Sequence, residues 1–156
     1  MRERTIASHF ARAALGGARR LGFDYSNLLS QLGISPELLD EPRARIAPEQ
    51  FTRLIQTLWL ALDDEYLGFG NAPSKPGSFA MMCHASIHCR NLEKALQRGL
   101  LFYSLFPEAP RLSLTREDEW VRLSLDDSQL WDPDHFLTES LLVIWHRLGS
   151  WLIGQR

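Results

Sequence analysis

The chain has 156 residues, of which 45% are hydrophobic and 23% are charged, and its formal net charge is -2 at pH 7. A chain of this size and composition can bury a hydrophobic core without disulfides or a metal, which excludes disordered, collagen-like and small disulfide-rich proteins. The nearly balanced charge also argues against a surface that binds nucleic acid or an anionic membrane, because both require a basic face.

The first part of the chain carries helix signals. Apolar residues that recur every three or four positions predict a first helix over residues 6–21, which ends at Gly22. Asp24 is expected to cap a short helix that ends at Gly33. Ser35 is a further helix-start signal, because a proline and a glutamate follow it directly.

Three more helices are predicted in the middle of the chain. The strongest amphipathic pattern lies in residues 48–62, with apolar side chains at Phe51, Leu54, Ile55, Leu58, Trp59 and Leu62. Residues 78–89 are apolar on nearly every side, which predicts a buried helix. Residues 92–106 carry one apolar face and are followed by Pro107, which should end that helix.

At residue 112 the apolar period changes from helical to alternating, which predicts a β-hairpin with strands at approximately 111–116 and 119–126. A long final helix should follow the caps Asp132 and Asp134. The predicted fold class is therefore α+β, mostly α, with about six helices around a small antiparallel β-hairpin.

A two-stranded hairpin is marginally stable by itself, so further strands, a helical cover or a partner chain should support it. We therefore expect residues 1–156 to form a single domain that is the N-terminal part of a longer polypeptide. The longest uninterrupted apolar runs have five residues, as in 141–145, whereas a membrane span needs about 20. Cys83 and Cys89 are poorly placed for a disulfide, and we expect a cytoplasmic protein with no membrane contact.

His84 and His88 have the i, i+4 spacing that places two imidazoles on one helix face, as in many metal or haem sites. Cys83 and Cys89 are adjacent to them, but a neighbouring residue lies about 100° away around the helix, so all four side chains cannot converge on one ion. We expect no metal and no other cofactor, with a haem or metal site as an alternative.

Neither catalysis nor direct DNA binding has a positive signal. The chain lacks a nucleophile elbow, a phosphate-binding glycine loop, a His-Glu-x-x-His sequence and a Cys-x-x-Cys pair, and we predict no enzyme and no catalytic residues. Residues 28–39 have the outline of a helix-turn-helix, but the second helix is acidic and DNA phosphates would repel it. No DNA-binding residue is therefore predicted in these residues.

Aromatic, thioether and polar side chains on the later helices could together form a pocket with apolar walls and a few orienting groups. Most such stripes are simply core, so the pocket is a hypothesis. The candidate ligand-binding residues are Phe79, Met82, Cys83, His84, Tyr103 and Trp145.

Several segments, taken in order, resemble the N-terminal effector-sensing domain of AraC-type transcriptional regulators, in the subgroup with a helical start and not the sugar-binding jelly-roll. One of them carries the pattern D-x-x-L-G at residues 64–68. The resemblance extends from about residue 25 to 152 and rests on residues 33–51, 64–70, 77–85, 91–96, 120–123 and 136–151.

The resemblance implies a non-enzymatic domain that binds a small organic effector and mediates dimerisation, most simply as a homodimer. DNA binding would belong to a C-terminal pair of helix-turn-helix units that this sequence lacks. Two alternatives remain open at this point. One is a pure dimerisation module without a ligand, and the other is a haem or metal sensor that uses His84 and His88.

Overall fold

Helices dominate the part of the chain that the computed structural model describes, which is residues 5–154. The prediction of a mostly helical α+β fold is confirmed. In chain order the elements are β1 (Ile6–Ala7), α1 (Ser8–Ala14), α2 (Gly16–Arg20), α3 (Ser26–Gln31), α4 (Pro36–Asp40), β2 (Arg45–Ile46), α5 (Pro48–Leu62), α6 (Ser78–Ser86), α7 (Leu92–Ser104), β3 (Arg111–Glu117), β4 (Trp120–Asp126) and α8 (Phe136–Leu152).

The start of the predicted first helix is wrong. Ile6 pairs with Ile46 in a short antiparallel β1–β2 ladder, so the helix begins only at Ser8. It is interrupted at Leu15, next to a glycine pair that weakens helix formation. The pairing partner is distant in sequence, and helical periodicity therefore gave no sign of it.

The larger core cluster joins α1 and α2 to α3, α5, the loop after α5 and the start of α8. Leu54 and Leu58 lie on the buried face of α5 and are fully inaccessible to solvent. Burial of each leucine stabilises the fold by about 1.5–3 kcal/mol relative to exposure. The amphipathic pattern of residues 48–62 therefore predicted both the bounds of α5 and its buried face.

The loop between α5 and α6 is ordered by the buried carboxylate of Asp64. Its Oδ1 accepts hydrogen bonds from the backbone N–H groups of Tyr66 (2.8 Å) and Ser74 (2.7 Å), and its Oδ2 accepts one from Gly68 (2.8 Å). These three bonds fold the D-x-x-L-G segment back on itself. The loop therefore has a fixed shape where it meets α6 and α7.

A second core cluster lies between α6, α7, α8 and the hairpin, and its buried members are Met82, Trp145 and Leu148. The predicted helix over residues 78–89 is present as α6, but the prediction that it is buried on nearly every side is wrong. The helix ends at Ser86, and Met81 on its outer face is 63% exposed. Its even apolar distribution hid which face would be covered, because no polar stripe marks the solvent side.

The predicted hairpin is confirmed, with β3 and β4 at Arg111–Glu117 and Trp120–Asp126. Leu112 pairs with Leu125 and Leu114 with Leu123, so four leucines share the inner face. Leu112 and Leu123 pack against the second core cluster. Helices α7 and α8 therefore give the strands the helical cover that a hairpin of this size needs.

Of the predicted helix caps, Ser35 is the N-cap of α4, whereas Asp132 binds the first turn of α8 from outside the N-cap position, which His135 holds. The Ser35 hydroxyl accepts a hydrogen bond from the Leu38 backbone N–H at 3.2 Å, at the start of α4. The Asp132 carboxylate accepts hydrogen bonds from the backbone N–H and the hydroxyl of Thr138, at 2.7 and 2.8 Å, at the start of α8. These polar groups fix where the two helices begin.

Candidate functional site

An apolar cavity with a volume of about 680 Å³ lies where α5, α6, α7 and α8 meet, and it is open to solvent at the exposed residues Leu60 and Ala80. We call it the central cavity. Its lining residues are Gln56, Trp59, Leu60, Glu65, Tyr66, Pro76, Gly77, Phe79, Ala80, Tyr103, Leu141, Ile144 and Trp145. Cavities of 300–1,000 Å³ with mostly apolar walls and a few polar groups are typical of small-molecule sites.

Helical periodicity aligns the walls of the central cavity. Trp59 follows Gln56 by three residues on α5, and Trp145 follows Leu141 by four on α8, so each pair lies on one helix face. Tyr103 enters from the last turn of α7. The cavity is therefore a junction of four helices and the loop before α6.

Glu65 has two roles at this junction, because it lines the cavity and also holds the start of α6. One carboxylate oxygen accepts a hydrogen bond from the Gly77 backbone N–H at 2.7 Å, and the other accepts one from Phe79 at 3.0 Å. The N-terminal end of a helix favours a negative charge. The two hydrogen bonds therefore hold the Glu65 carboxylate at the helix start, although the side chain is only half-buried.

Trp145 forms the floor of the central cavity and is only 2% exposed. Its ring packs edge-to-face on Tyr103, with centroids 6.2 Å apart. On the other side it lies against Gly99 of α7, where an added Cβ would come within 2.6 Å of the indole and 2.9 Å of the Met82 sulfur. Trp145 therefore joins the cavity to the second core cluster and, through it, to the hairpin.

Burial changes the acidity of the groups around the floor. Removal from water raises the pKa of Tyr103 well above its usual range, and the nearby Tyr66 and Glu65 add to the shift. Burial is also the main cause that raises the pKa of Tyr66. The pKa of the Cys83 thiol is raised by burial and by Glu65. These three groups are held in their neutral forms at pH 7, so none of them is an activated nucleophile or base.

The structure brings three of the six candidate ligand-binding residues together at the central cavity, namely Phe79, Tyr103 and Trp145. Met82 is fully buried beneath the floor, and Cys83 packs on the same core cluster. His84 is exposed on the outer side of α6. The remaining three therefore do not belong to the lining.

Sequence reasoning missed the walls that α5 and the following loop contribute. Trp59 belongs to the apolar stripe of residues 48–62, but that stripe predicts only a face that packs on the core. Leu141 lies one turn before Trp145, so helical spacing from a predicted wall residue would have found it. Glu65 and Tyr66 had no local signal, because their position depends on the loop that Asp64 folds.

The histidine pair does not form a site on one helix. His84 lies on α6, whereas His88 lies beyond its end at Ser86, and both side chains are exposed. Within residues 5–154 no group of three or more His, Cys, Asp or Glu side chains is arranged to hold a metal ion. The i, i+4 spacing on which the haem or metal alternative depended therefore extends beyond the last residue of α6.

Two other cavities differ from the central cavity in character. One, of about 290 Å³, lies behind Tyr66 and Tyr103 and is lined partly by the loop that contains Lys75. The other, of about 590 Å³, lies between α1 and the start of α8 and has charged groups such as Arg12 and Glu139 around it. The smaller one shares Tyr66 and Tyr103 with the central cavity, but neither of the two has a tryptophan in its walls.

Among the helices of residues 5–154, none has both the length and the apolar character that crossing a bilayer requires.

Comparison with known proteins shows the family. A family model described as the arabinose-binding domain of AraC transcription regulator, N-terminal, matches residues 22–156. The chain is also similar to an ornithine utilization regulator of Pseudomonas aeruginosa, with 23% identity over 148 residues, 94% of this chain and 44% of the relative. It thus spans less than half of that relative's length. No solved structure matches the chain.

The matched family is a domain of transcription regulators and not a family of enzymes. The match includes α3 to α8, which carry every wall of the central cavity. The resemblance noted in the sequence is confirmed at this level, and the chain belongs to the family of N-terminal effector domains of AraC-type transcription regulators.

Proposed function

We propose that the chain is a ligand-sensing domain that binds a small organic effector in the central cavity. The observation that carries this proposal is the cavity itself, an apolar space of about 680 Å³ with few polar groups at the junction of four helices. Binding would use Phe79, Tyr103 and Trp145 as walls. Met82 and Cys83 would support the floor from below, and His84 would have no direct contact.

Binding in this cavity would be transmitted through Trp145 to the packing of α7 and α8. Gly99 leaves room for the Trp145 ring where α7 and α8 lie close together. A ligand that packs on the indole would therefore favour this close packing of the two helices. An effector shifts such an equilibrium only by its difference in affinity for the two states. The ligand would therefore bias the position of α8 and of the hairpin that packs on it.

We further propose that the domain forms a homodimer and that a separate part of the regulator binds DNA. The family supports both proposals, and the length of the ornithine utilization regulator, of which this chain spans 44%, supports the second. Exposed apolar side chains on α7, at its C-terminal cap and on the hairpin, such as Leu101, Leu105 and Trp120, are suited to contact a second copy. Sedimentation velocity over a range of concentrations tests dimerisation.

A thermal-shift screen tests ligand binding. The compounds are amino acids including ornithine, simple amines, fatty acids and aromatic acids, since the name of the relative points to amino-acid metabolism. A ligand at a hundredfold excess over its Kd stabilises the fold by about 2.7 kcal/mol.

Ala80→Trp is the decisive variant, because Ala80 is exposed and lines the cavity, so an indole there should fill the space. Ala85→Trp is the matched control, since Ala85 is exposed on the same helix but outside the lining. A shift that Ala80→Trp abolishes and Ala85→Trp preserves supports the proposal. A dimer that responds to no compound would instead favour the pure dimerisation module.

A further inference from the structure

We propose that the central cavity selects a positively charged organic ligand, an ammonium group on an apolar body, and that Glu65 holds the charge. This inference rests on the proposed function and narrows it to one class of effector. Within residues 5–154, Glu65 is the one Asp, Glu, Lys, Arg or His that lines the cavity. A ligand that enters therefore meets a fixed negative charge and no basic side chain.

Glu65 retains the capacity to bind a cation. An ionised carboxylate has about four lone-pair sites. The Gly77 and Phe79 backbone N–H groups occupy one site on each oxygen. The helix start fixes the carboxylate in place, and the remaining sites are free to accept hydrogen bonds from an ammonium group at the cavity wall. Such charge-assisted bonds are stronger than neutral ones.

The neighbouring basic side chain does not cancel this charge. Lys75 follows Glu65 in the same loop, but its ammonium group pairs with the carboxylate of Asp63. It contributes to the smaller cavity behind Tyr66 and Tyr103 and not to the central cavity. The field of Glu65 also reaches the floor, where it contributes to the raised pKa values of Tyr103 and Cys83.

The aromatic walls favour the same sign of charge. Trp59, Tyr66, Phe79, Tyr103 and Trp145 surround the space. The face of an aromatic ring attracts a cation within about 6 Å of its centre and offers no such attraction to an anion. A carboxylate ligand would face Glu65 without a basic partner, and burial of an unpaired charge is costly. The walls thus accommodate apolar groups and cations and reject acids.

The test compares three probes that share one indole body: tryptamine, tryptophol and indole-3-acetate. Their side chains carry an ammonium group, a neutral hydroxyl and a carboxylate. Isothermal titration calorimetry on the whole chain gives each Kd. We expect tryptamine to bind about tenfold more tightly than tryptophol, the difference typical of a hydrogen bond to a charged group. Indole-3-acetate should bind more weakly than either.

Two variants assign the preference to Glu65. Glu65→Gln removes the charge but keeps an oxygen for the start of α6, and it should lower the affinity for tryptamine about tenfold while tryptophol binding stays nearly unchanged. Leu60→Lys adds a cation at the cavity wall on a residue that is 75% exposed, so folding should be unaffected. That variant should raise the affinity for indole-3-acetate and lower that for tryptamine.

The outcomes separate this inference from the proposed function. Equal or tighter binding of indole-3-acetate, or tryptamine binding that Glu65→Gln leaves unchanged, overturns the cation inference. The sensing role still stands in that case if Ala80→Trp blocks whichever probe binds. If Glu65→Gln does not fold, the affinities of Leu60→Lys for indole-3-acetate and tryptamine decide whether the cation inference stands. Failure of tryptamine to bind at millimolar concentration also overturns the inference, and the wider compound screen then decides the sensing role alone.

Discussion

Gly17 of α2 and Leu67 in the loop after α5 touch through their backbones. A Cβ atom added to Gly17 would lie 2.0 Å from the Leu67 carbonyl oxygen, a separation that real atoms do not adopt. Because Leu67 belongs to the loop that Asp64 folds, this contact fixes the cavity-lining loop against the N-terminal helices. The glycine is therefore required by packing between two distant segments.

Gly17→Ala should lower the free energy of unfolding by about 3 kcal/mol, because backbone and not a flexible side chain would have to move. Gly16→Ala is the matched control. The nearest atom to its added Cβ is the ring tip of Phe69 at 3.4 Å, an ordinary contact, and alanine favours a helix. Urea denaturation should show a large loss for the first variant and no loss for the second. Equal effects of the two variants would contradict the packing argument.

Asp64→Asn should destabilise the fold by about 2–4 kcal/mol, because the amide presents N–H donors to backbone donors that now bind a carboxylate. Asp63→Asn provides the comparison. That neighbour is exposed and left-handed at φ 53°, a conformation in which asparagine is well tolerated. Denaturation midpoints measure both. A mild effect at position 64 would show that water replaces the three hydrogen bonds.

Gly99→Ala should weaken ligand binding as well as stability, because the new methyl group would displace the indole of Trp145 from the cavity floor. We expect a loss of about 1–3 kcal/mol, as for other overpacked cores. Gly149→Ala should instead be neutral or stabilising, since its added Cβ would meet a Leu92 methyl group at an ordinary 3.8 Å and the site is helical. Calorimetry with the strongest ligand from the screen measures the loss of binding, and melting curves measure the loss of stability.

Stability should fall as the pH rises above about 10, the ordinary tyrosine pKa. Burial raises the folded-state pKa values of Tyr66 and Tyr103, so the unfolded chain loses these protons first. The unfolded state then binds fewer protons than the native state, and the free energy of unfolding decreases with pH. Their stabilising effect is complete below the unfolded-state pKa and disappears as pH rises toward the folded-state values.

Tyr103→Phe checks the origin of this alkaline loss. The variant lacks the ionisable group, so its stability should decline less steeply between about pH 9 and 11 than that of the parent chain. Urea denaturation at several pH values measures the two slopes. Parallel slopes would show that Tyr103 ionises as easily in the native state as in the unfolded chain.

Periodic patterns determined those helices and strands that need only a continuous apolar layer against one face. The alternation around Leu112 and Leu123 predicted the hairpin, and the stripe through Leu54 and Leu58 predicted α5, because each needs only an apolar layer on one side. The cap at Ser35 was equally local, since a side-chain oxygen satisfies an N–H three residues away. The family was predicted from several segments that resemble it in the same order along the chain, and not from periodicity.

Only the tertiary structure decided which side chains meet at the cavity. Phe79, Tyr103 and Trp145 were predicted from the aromatic side chains of the later helices. Glu65 joins them because Asp64 folds its loop and because the Glu65 carboxylate binds the start of α6. The position of Ile6 in a strand likewise depends on Ile46. Such contacts join residues distant in the chain, and no local period records them, because their free energy appears only when both segments are already in place.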